Sequence, residues 1–178
     1  MPDADRSTTG APTEMKKRRL PGQLGWLWLT LLVLVVDQLA KHAMVAHFQL
    51  YERLQVLPVF NLTLAYNSGA AFSFLADAGG WQRWFFTLIA LAAAVLILTW
   101  LARLRSGERL QGAALALILA GALGNLYDRI VLGHVVDFLD FHWGFQHFPA
   151  FNIADSAITV GAILIILDIL LGARRHHD

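Results

Sequence analysis

Cysteine is missing from the 178-residue sequence. Its absence excludes a disulfide framework, a thiolate nucleophile and any cysteine-ligated metal. Charge is also scarce: 15% of residues are charged against 57% hydrophobic, far from the balance of a soluble domain, and the composition points to a membrane protein. The formal net charge of +1 gives no reason to expect nucleic acid or a strongly acidic partner. There is no GxSxG elbow, no Gly-rich phosphate loop and no convincing Ser/Lys pair. Ser68, Ser73 and Ser156 have no obvious base beside them, which argues against a side-chain nucleophile.

What the sequence does have is long apolar runs. A helix needs roughly 20 mostly apolar residues to cross the hydrocarbon, and four stretches qualify: about 24–43, 84–102, 111–129 and 155–172. The first is too long for a signal-peptide core and three more follow it, so it reads as a retained anchor. Ten of the fourteen Lys and Arg residues fall in three places: the tail with Arg6, Lys16, Lys17, Arg18 and Arg19, the 102–110 turn with Arg103, Arg105 and Arg109, and the terminal pair Arg174 and Arg175. With an even number of spans, the positive-inside rule places all three in the cytoplasm and the connections 44–83 and 130–154 outside. Trp26 and Trp28 at one end of the first span, and Trp81, Trp84 and Trp100 bracketing the second, read as interfacial belts. Gly112, Ala116, Ala120 and Gly124 make a four-residue stripe of small side chains suited to close helix packing. Residues 1–20 have no apolar periodicity and are expected to form a disordered cytosolic tail.

The outer connections read differently. In "QVLPVFNLTLAYNSGAAFSFL", Leu62, Leu64 and Tyr66 alternate with Asn61, Thr63 and Ala65, which predicts a small sheet on the outer membrane surface. Residues 70–75 suit a short interfacial element. In "IVLGHVVDFLDFHWGFQHFPAFN", Asp137 and Asp140 sit among Val, Phe and Leu, an environment that raises a carboxyl pKa.

Five carboxylates therefore gather towards the outer ends of the spans: Asp37, Asp128, Asp137, Asp140 and Asp155. Asp37 has Lys41 four residues on, the favourable order for a helical ion pair, so a structural role is expected. Asp128 and Arg129, one turn beyond Asn125, give the third span a polar end that can anchor a loop or clamp a substrate backbone. Asp155 sits where the fourth helix begins, so helix capping competes with chemistry there, although Asn152 is itself a good cap. Asp168, thirteen residues further along, is roughly 20 Å from Asp155 and outside any shared site. His134, His142 and His147 have no helical ligand spacing and make a weak metal set.

Two carboxylates at a wet boundary meet the needs of an aspartic-protease pair, one ionised to activate water and one protonated to polarise a carbonyl. Composition leaves open which two. Asp137 and Asp155 are the most attractive, because each closes an apolar stretch and the loop between them can fold back. A proton relay in a small transporter is the main rival, but it calls for ionisable groups along a whole pathway, and the middle of each span is apolar. A purely structural assembly factor leaves the outer carboxylates unexplained.

The motifs "VVDQLAKHAM", "NLTLAYNSGAAFSF", "GALGNLYDRIVLGHVVDF" and "FNIADSAI", in that order, resemble those of the bacterial lipoprotein signal peptidases (signal peptidase II), over about residues 24–172. The resemblance implies a mainly α integral membrane fold with four transmembrane helices, a small extracytoplasmic β-cradle and a short interfacial helix. A membrane domain at 24–172 would then lie between cytosolic tails at 1–23 and 173–178. It further implies an inner-membrane aspartic endopeptidase, both termini cytoplasmic, that cuts diacylglyceryl-modified prolipoproteins just before the lipidated cysteine near the periplasmic face. Asp137 and Asp155 would be catalytic. Asn67, Gly69, Asn125, Arg129 and Asn152 would line the substrate site, and Asp37, Lys41 and Asp128 would support it. Membrane lipids and cyclic peptide inhibitors such as globomycin are the further partners implied. No metal or organic cofactor is.

Overall fold

The computed structural model describes residues 22–69 and 80–174. Residues 1–21 of the expected tail at 1–23, the interfacial element at 70–75 and residues 175–178 of the expected tail at 173–178 lie outside them. After a short 3-10 turn at Leu24–Trp26, the order of elements is α1 (Leu27–His47), β1 (Arg53–Leu57), β2 (Phe60–Asn67), α2 (Trp81–Arg103), α3 (Arg109–Val131), β3 (Val135–Trp143), β4 (Gln146–His147) and α4 (Ile153–Arg174). All four helices are long and apolar enough to cross a membrane. Each runs a few residues past the apolar stretch that announces it, because helix geometry continues through the polar groups at its ends. The start of the first span is also pinned: Gln23 donates its backbone N–H to Leu101 O (2.9 Å) and its side-chain amide to Arg105 O (2.7 Å).

α3 is the central helix, with most of its residues buried, whereas α1, α2 and α4 turn most of theirs outward. Leu31, Leu39, Leu88, Leu96, Ile166 and Ile169 are all more than half exposed, a surface that only lipid covers cheaply. Apolar burial drives little association inside lipid, so the helices depend on backbone approach and hydrogen bonds. The small-residue stripe supplies the first. A Cβ on Gly112 would come within 2.6 Å of the Trp26 ring, and one on Gly124 within 2.8 Å of Asp37 Oδ2, so both residues seat α1. Gly161 of α4 lies against Ala114 O, where a Cβ would approach to 2.6 Å. Thr30 Oγ1 adds a 2.9 Å hydrogen bond to Ala116 O. Trp26 is thus half-buried against Gly112, while Trp28, Trp81, Trp84 and Trp100 are exposed as belt residues should be.

The strands form an antiparallel sheet in the order β1-β2-β3-β4. Leu64, Val136 and Phe138 pack with Met44 near the end of α1, which seats the sheet on the helix bundle. The register between β2 and β3 shifts between Leu62 and Ala65, so the alternation read from the sequence does not run unbroken: Leu64 is 2% exposed but Tyr66 39%. α3 ends where Leu132 and Gly133 N–H both donate to Asp128 O, with Gly133 at φ 85°, a conformation that favours glycine. Only a few residues then separate α3 from β3. Beyond β4 the chain returns along β3, with Phe148 N–H to Phe141 O (2.8 Å) and Phe151 N–H to Leu139 O (3.1 Å), and enters α4 at once.

Candidate active site

That return decides where Asn152 sits. It is the N-cap of α4: its Oδ1 accepts the Asp155 N–H (2.9 Å), while Asp155 Oδ2 accepts the Asn152 N–H (3.3 Å). This reciprocal pair is a capping box with Asp in the place usually held by Glu or Gln. The capping role of Asp155 is therefore real, and it leaves Oδ1 to accept from Asn125 Nδ2 (2.7 Å). Asn152 Nδ2 points the other way, to Asp137 Oδ1 (2.7 Å), Val136 O (3.2 Å) and Asn125 Oδ1 (3.3 Å). Asp137 Oδ2 accepts from Asn67 Nδ2 (3.1 Å). Residues 137 and 155 thus meet through one fully buried asparagine.

The two acids have different surroundings. Asp137 is 2% exposed, and burial, followed by the nearby charge of Asp155, pushes its pKa up to about 7; the hydrogen bonds from Asn67 and Asn152 and the charge of Lys41 work against the rise. Asp155 lies at the N-terminus of a long helix, where the dipole favours negative charge.

Behind the pair stands a second polar layer. Lys41 Nζ lies 2.8 Å from both Asp37 Oδ2 and Asp128 Oδ2, and donates to Asn125 Oδ1 at 3.1 Å. The expected Asp37–Lys41 pair is present, but Asp37 also reaches across the bundle, its Oδ1 accepting the Ala154 N–H (2.8 Å) in the first turn of α4. Asp128 Oδ2 accepts from Val136 N–H (3.3 Å) and so anchors the start of β3, the loop-anchoring role its position suggests. Gln38, which motif reasoning passed over, donates to Asp37 Oδ2 (3.2 Å) and Asp128 Oδ1 (3.0 Å). Its signal is a second polar side chain beside Asp37 in an otherwise apolar run.

Arg129 Nη1 donates to Asn125 O (3.2 Å), and its guanidinium lies 5.4 Å from the centre of the Phe86 ring. Its buried Nε has no hydrogen-bond partner among the described residues. Gly69, at φ 110°, donates its N–H to Asn67 Oδ1 (2.9 Å) and sits so close to Phe86 that a Cβ would fall 2.7 Å from the ring. Phe86 is a further site residue that the sequence does not single out: it is one of four aromatics at the start of α2, and nothing local says which of them faces the site.

Asp140 departs from expectation. It does not join the Asp137 network, and its pKa is lowered, not raised. Burial acts to raise it, but hydrogen bonds from Asn61 and His147 and the charges of His147 and Arg53 outweigh that. The three histidines divide. His134 lies tilted against Tyr66 (ring centres 4.0 Å apart), and burial lowers its pKa, while His142 and His147 stack on each other (5.0 Å) and His147 bonds Asp140.

Fold and site together define a polytopic membrane protein with an asparagine-bridged acid pair, one acid buried and one half-buried, where its helices meet an extramembrane sheet. The family described as signal peptidase (SPase) II matches residues 29–171. A lipoprotein signal peptidase of Pseudomonas aeruginosa strain UCBPP-PA14 is 58% identical over 149 residues, covering 83% of this chain and 88% of its own. That of Pseudomonas aeruginosa strain PAO1 is 54% identical over 170 residues, covering 94% and 92%. A bacterial membrane enzyme solved by the in meso method at 2.3 Å resolution superposes with a TM-score of 0.75 at 32% identity, over 84% of this chain and 89% of that one. The chain belongs to the signal peptidase II family. It is an aspartic peptidase of a bacterial membrane that removes signal peptides from prolipoproteins.

Proposed function

We propose that Asp137 and Asp155 are the catalytic pair, and that the chain cuts a diacylglyceryl-modified prolipoprotein on the N-terminal side of its lipidated cysteine. The observation that carries this reading is the double attachment of Asn152, by its side chain to Asp137 and through the capping box to Asp155. Asp137, with a pKa about 7, keeps the proton of the pair near neutrality. Asp155 takes a proton from water, whose oxygen attacks the scissile carbonyl carbon as Asp137 gives its proton to the carbonyl oxygen. The tetrahedral diol then collapses: Asp155 passes its proton to the leaving nitrogen, the C–N bond breaks, and Asp137 recovers a proton from a diol hydroxyl.

Asn67, Gly69, Asn125, Arg129 and Asn152 line the substrate site. Arg129 is suited to hold a peptide carbonyl, since one of its buried donors is unused among the described residues. Asp37, Lys41 and Asp128 keep the two halves of the site in register. A signal peptide is itself an apolar helix, so its cut must fall where a membrane helix meets water, the level at which α3 gives way to β3 and α4 begins. The basic turn at 103–109 faces the cytoplasm of the inner membrane with both termini, and the acid pair faces the periplasm. Residues 24–172 form the membrane domain, with cytosolic tails at 1–23 and 173–178. Cyclic peptides such as globomycin would compete for the same groove.

The test is cleavage of a synthetic diacylglyceryl-modified precursor peptide by the purified full chain in detergent. Asp137→Asn and Asp155→Asn should each abolish cleavage while leaving the thermal unfolding transition in place. Wild-type turnover by either variant refutes the pair.

A further inference from the structure

Asp137 does not stand alone on β3. Its two oxygens take hydrogen bonds from Asn67 at the end of β2 and from Asn152 at the end of the return segment. Three residues further out on β3, Asp140 repeats the pattern. Its Oδ2 accepts from Asn61 Nδ2 (2.9 Å), and its Oδ1 and Oδ2 lie 2.8 and 3.0 Å from His147 Nδ1. Asn61 is the second residue of the strand that ends in Asn67, and His147 ends β4, from which the return to Asn152 begins. The two carboxylates form two rungs across the same three segments, Asn67–Asp137–Asn152 nearer the bundle and Asn61–Asp140–His147 further out. Arg53 of β1 adds its charge to the outer rung, Nε at 3.7 Å.

The outer rung needs an explanation, because a carboxylate that is 3% exposed in a sheet of this size is expensive to keep. The sheet supplies one. Between the two rungs the β2–β3 register shifts, at Leu62–Ala65, so the ladder that fixes one rung does not run unbroken to the other. On the other side, β4 is two residues long and pairs only His142 with His147 and Trp143 with Gln146. The pairs Ala65–Asp137 and Asn67–Val135 and the Phe151 hydrogen bonds to Phe138 and Leu139 hold the inner side of the shift, and the outer rung ties the same three segments together on its other side.

We propose that Asn61, Asp140 and His147 are positioning residues for the peptidase reaction, a clamp that sets β2 and the return segment on β3 and thereby aligns Asn67 and Asn152 on Asp137. This rests on the reading of Asp137 as catalytic. Asp140→Asn keeps the shape but can no longer accept from both neighbours with charged oxygens. His147→Leu removes one donor, and His147→Asn restores a donor close to the position of Nδ1.

The measurement is the pH profile of kcat for the detergent-solubilised full chain on the diacylglyceryl precursor peptide. With the clamp gone, Asp137 gains water and its proton leaves at lower pH, so the alkaline limb moves to lower pH and kcat falls by about tenfold or more. A merely smaller folded fraction lowers kcat without moving the limb. The groups facing Asp137 are Asp155 of α4, Lys41 of α1 and Arg129 of α3, and none is changed in these variants. Those facing Asp140 are Arg53 of β1 and His147 of β4, with His142 of β3 stacked on His147. His147→Asn should restore both rate and limb. A wild-type profile in both Asp140→Asn and His147→Leu, alongside a dead Asp137→Asn, overturns the clamp and leaves the catalytic pair intact; an active Asp137→Asn overturns the pair itself. If Asp140→Asn does not fold, the His147 pair decides: equal profiles for Leu and Asn at 147 refute the clamp.

Discussion

Replacing Lys41 with Met tests whether the polar layer behind the acid pair is held by charge. Lys41 is 2% exposed and touches Asp37, Asp128 and Asn125 within 3.1 Å. Met has a similar length and apolar character, so packing changes little, but two carboxylates 0% and 1% exposed lose their common cation. Gln38 and the Ala154 and Val136 N–H groups remain as donors, and none carries a charge. Breaking a buried ion cluster by removing one partner costs about 3–5 kcal/mol. Reversible unfolding of the purified chain in mixed micelles, followed by circular dichroism, should show a loss of that size. In the double variant Asp37→Asn/Lys41→Met, one uncompensated charge is gone while the amide oxygen can still cap Ala154, so it should be more stable than Lys41→Met alone. A Lys41→Met protein within about 1 kcal/mol of wild type, or a double variant that is simply the sum of its parts, would refute the account.

Two further outcomes follow from named contacts. Asp137 binds its proton more tightly in the folded protein, at about 7 against an ordinary 3.8, so folding is favoured at low pH and stability falls as pH rises from about 4 through about 7. The fall attributable to this group is up to roughly 4 kcal/mol over its full range, of which about 3 kcal/mol lies between pH 5 and pH 8, and unfolding at those two pH values should show that difference in the wild type and not in Asp137→Asn. Gly161→Val places a branched side chain where a Cβ already comes within 2.6 Å of Ala114 O, forcing α3 and α4 apart; a destabilisation of about 1–3 kcal/mol or more is expected in the same unfolding assay, and a wild-type value would show that the helices are not in backbone contact there.

The sequence made the helices legible because a membrane crossing demands length and apolar composition, both countable without coordinates. It also marked the acids: Asp37, Asp128, Asp137 and Asp155 stand out because lipid gives no solvation to hide them in. What it hid was partnership across distance. The i, i+4 spacing announces Lys41 as the partner of Asp37, but nothing local says that the same carboxylate caps a helix 117 residues later. Asn125 could be read as a polar helix end, not as the group that links Lys41 to Asp155. In the sheet the failure has a specific cause. A shift at Leu62–Ala65 interrupts the two-residue alternation on which strand reading depends, so Asn61 and Asn67 could not be assigned to two different aspartates by counting along the strand.

The case of Asp140 shows why local composition misleads for buried acids. Asp137 and Asp140 lie three residues apart among the same Val, Phe and Leu neighbours, and composition predicts a raised pKa for both. They diverge because of what crosses over from other segments. Asp140 meets cationic or potentially cationic groups, Arg53 and His147, besides Asn61. Asp137 meets two neutral amides and the negative field of Asp155, which cannot offset its burial. Two acids on one strand are thereby sorted, one towards holding a charge and one towards holding a proton. The difference lies in how deeply each acid is buried and in residues brought in by α1, β1, β2, β4, the return segment and α4, so the site is a property of the assembled sheet and bundle and not of the strand that carries both acids.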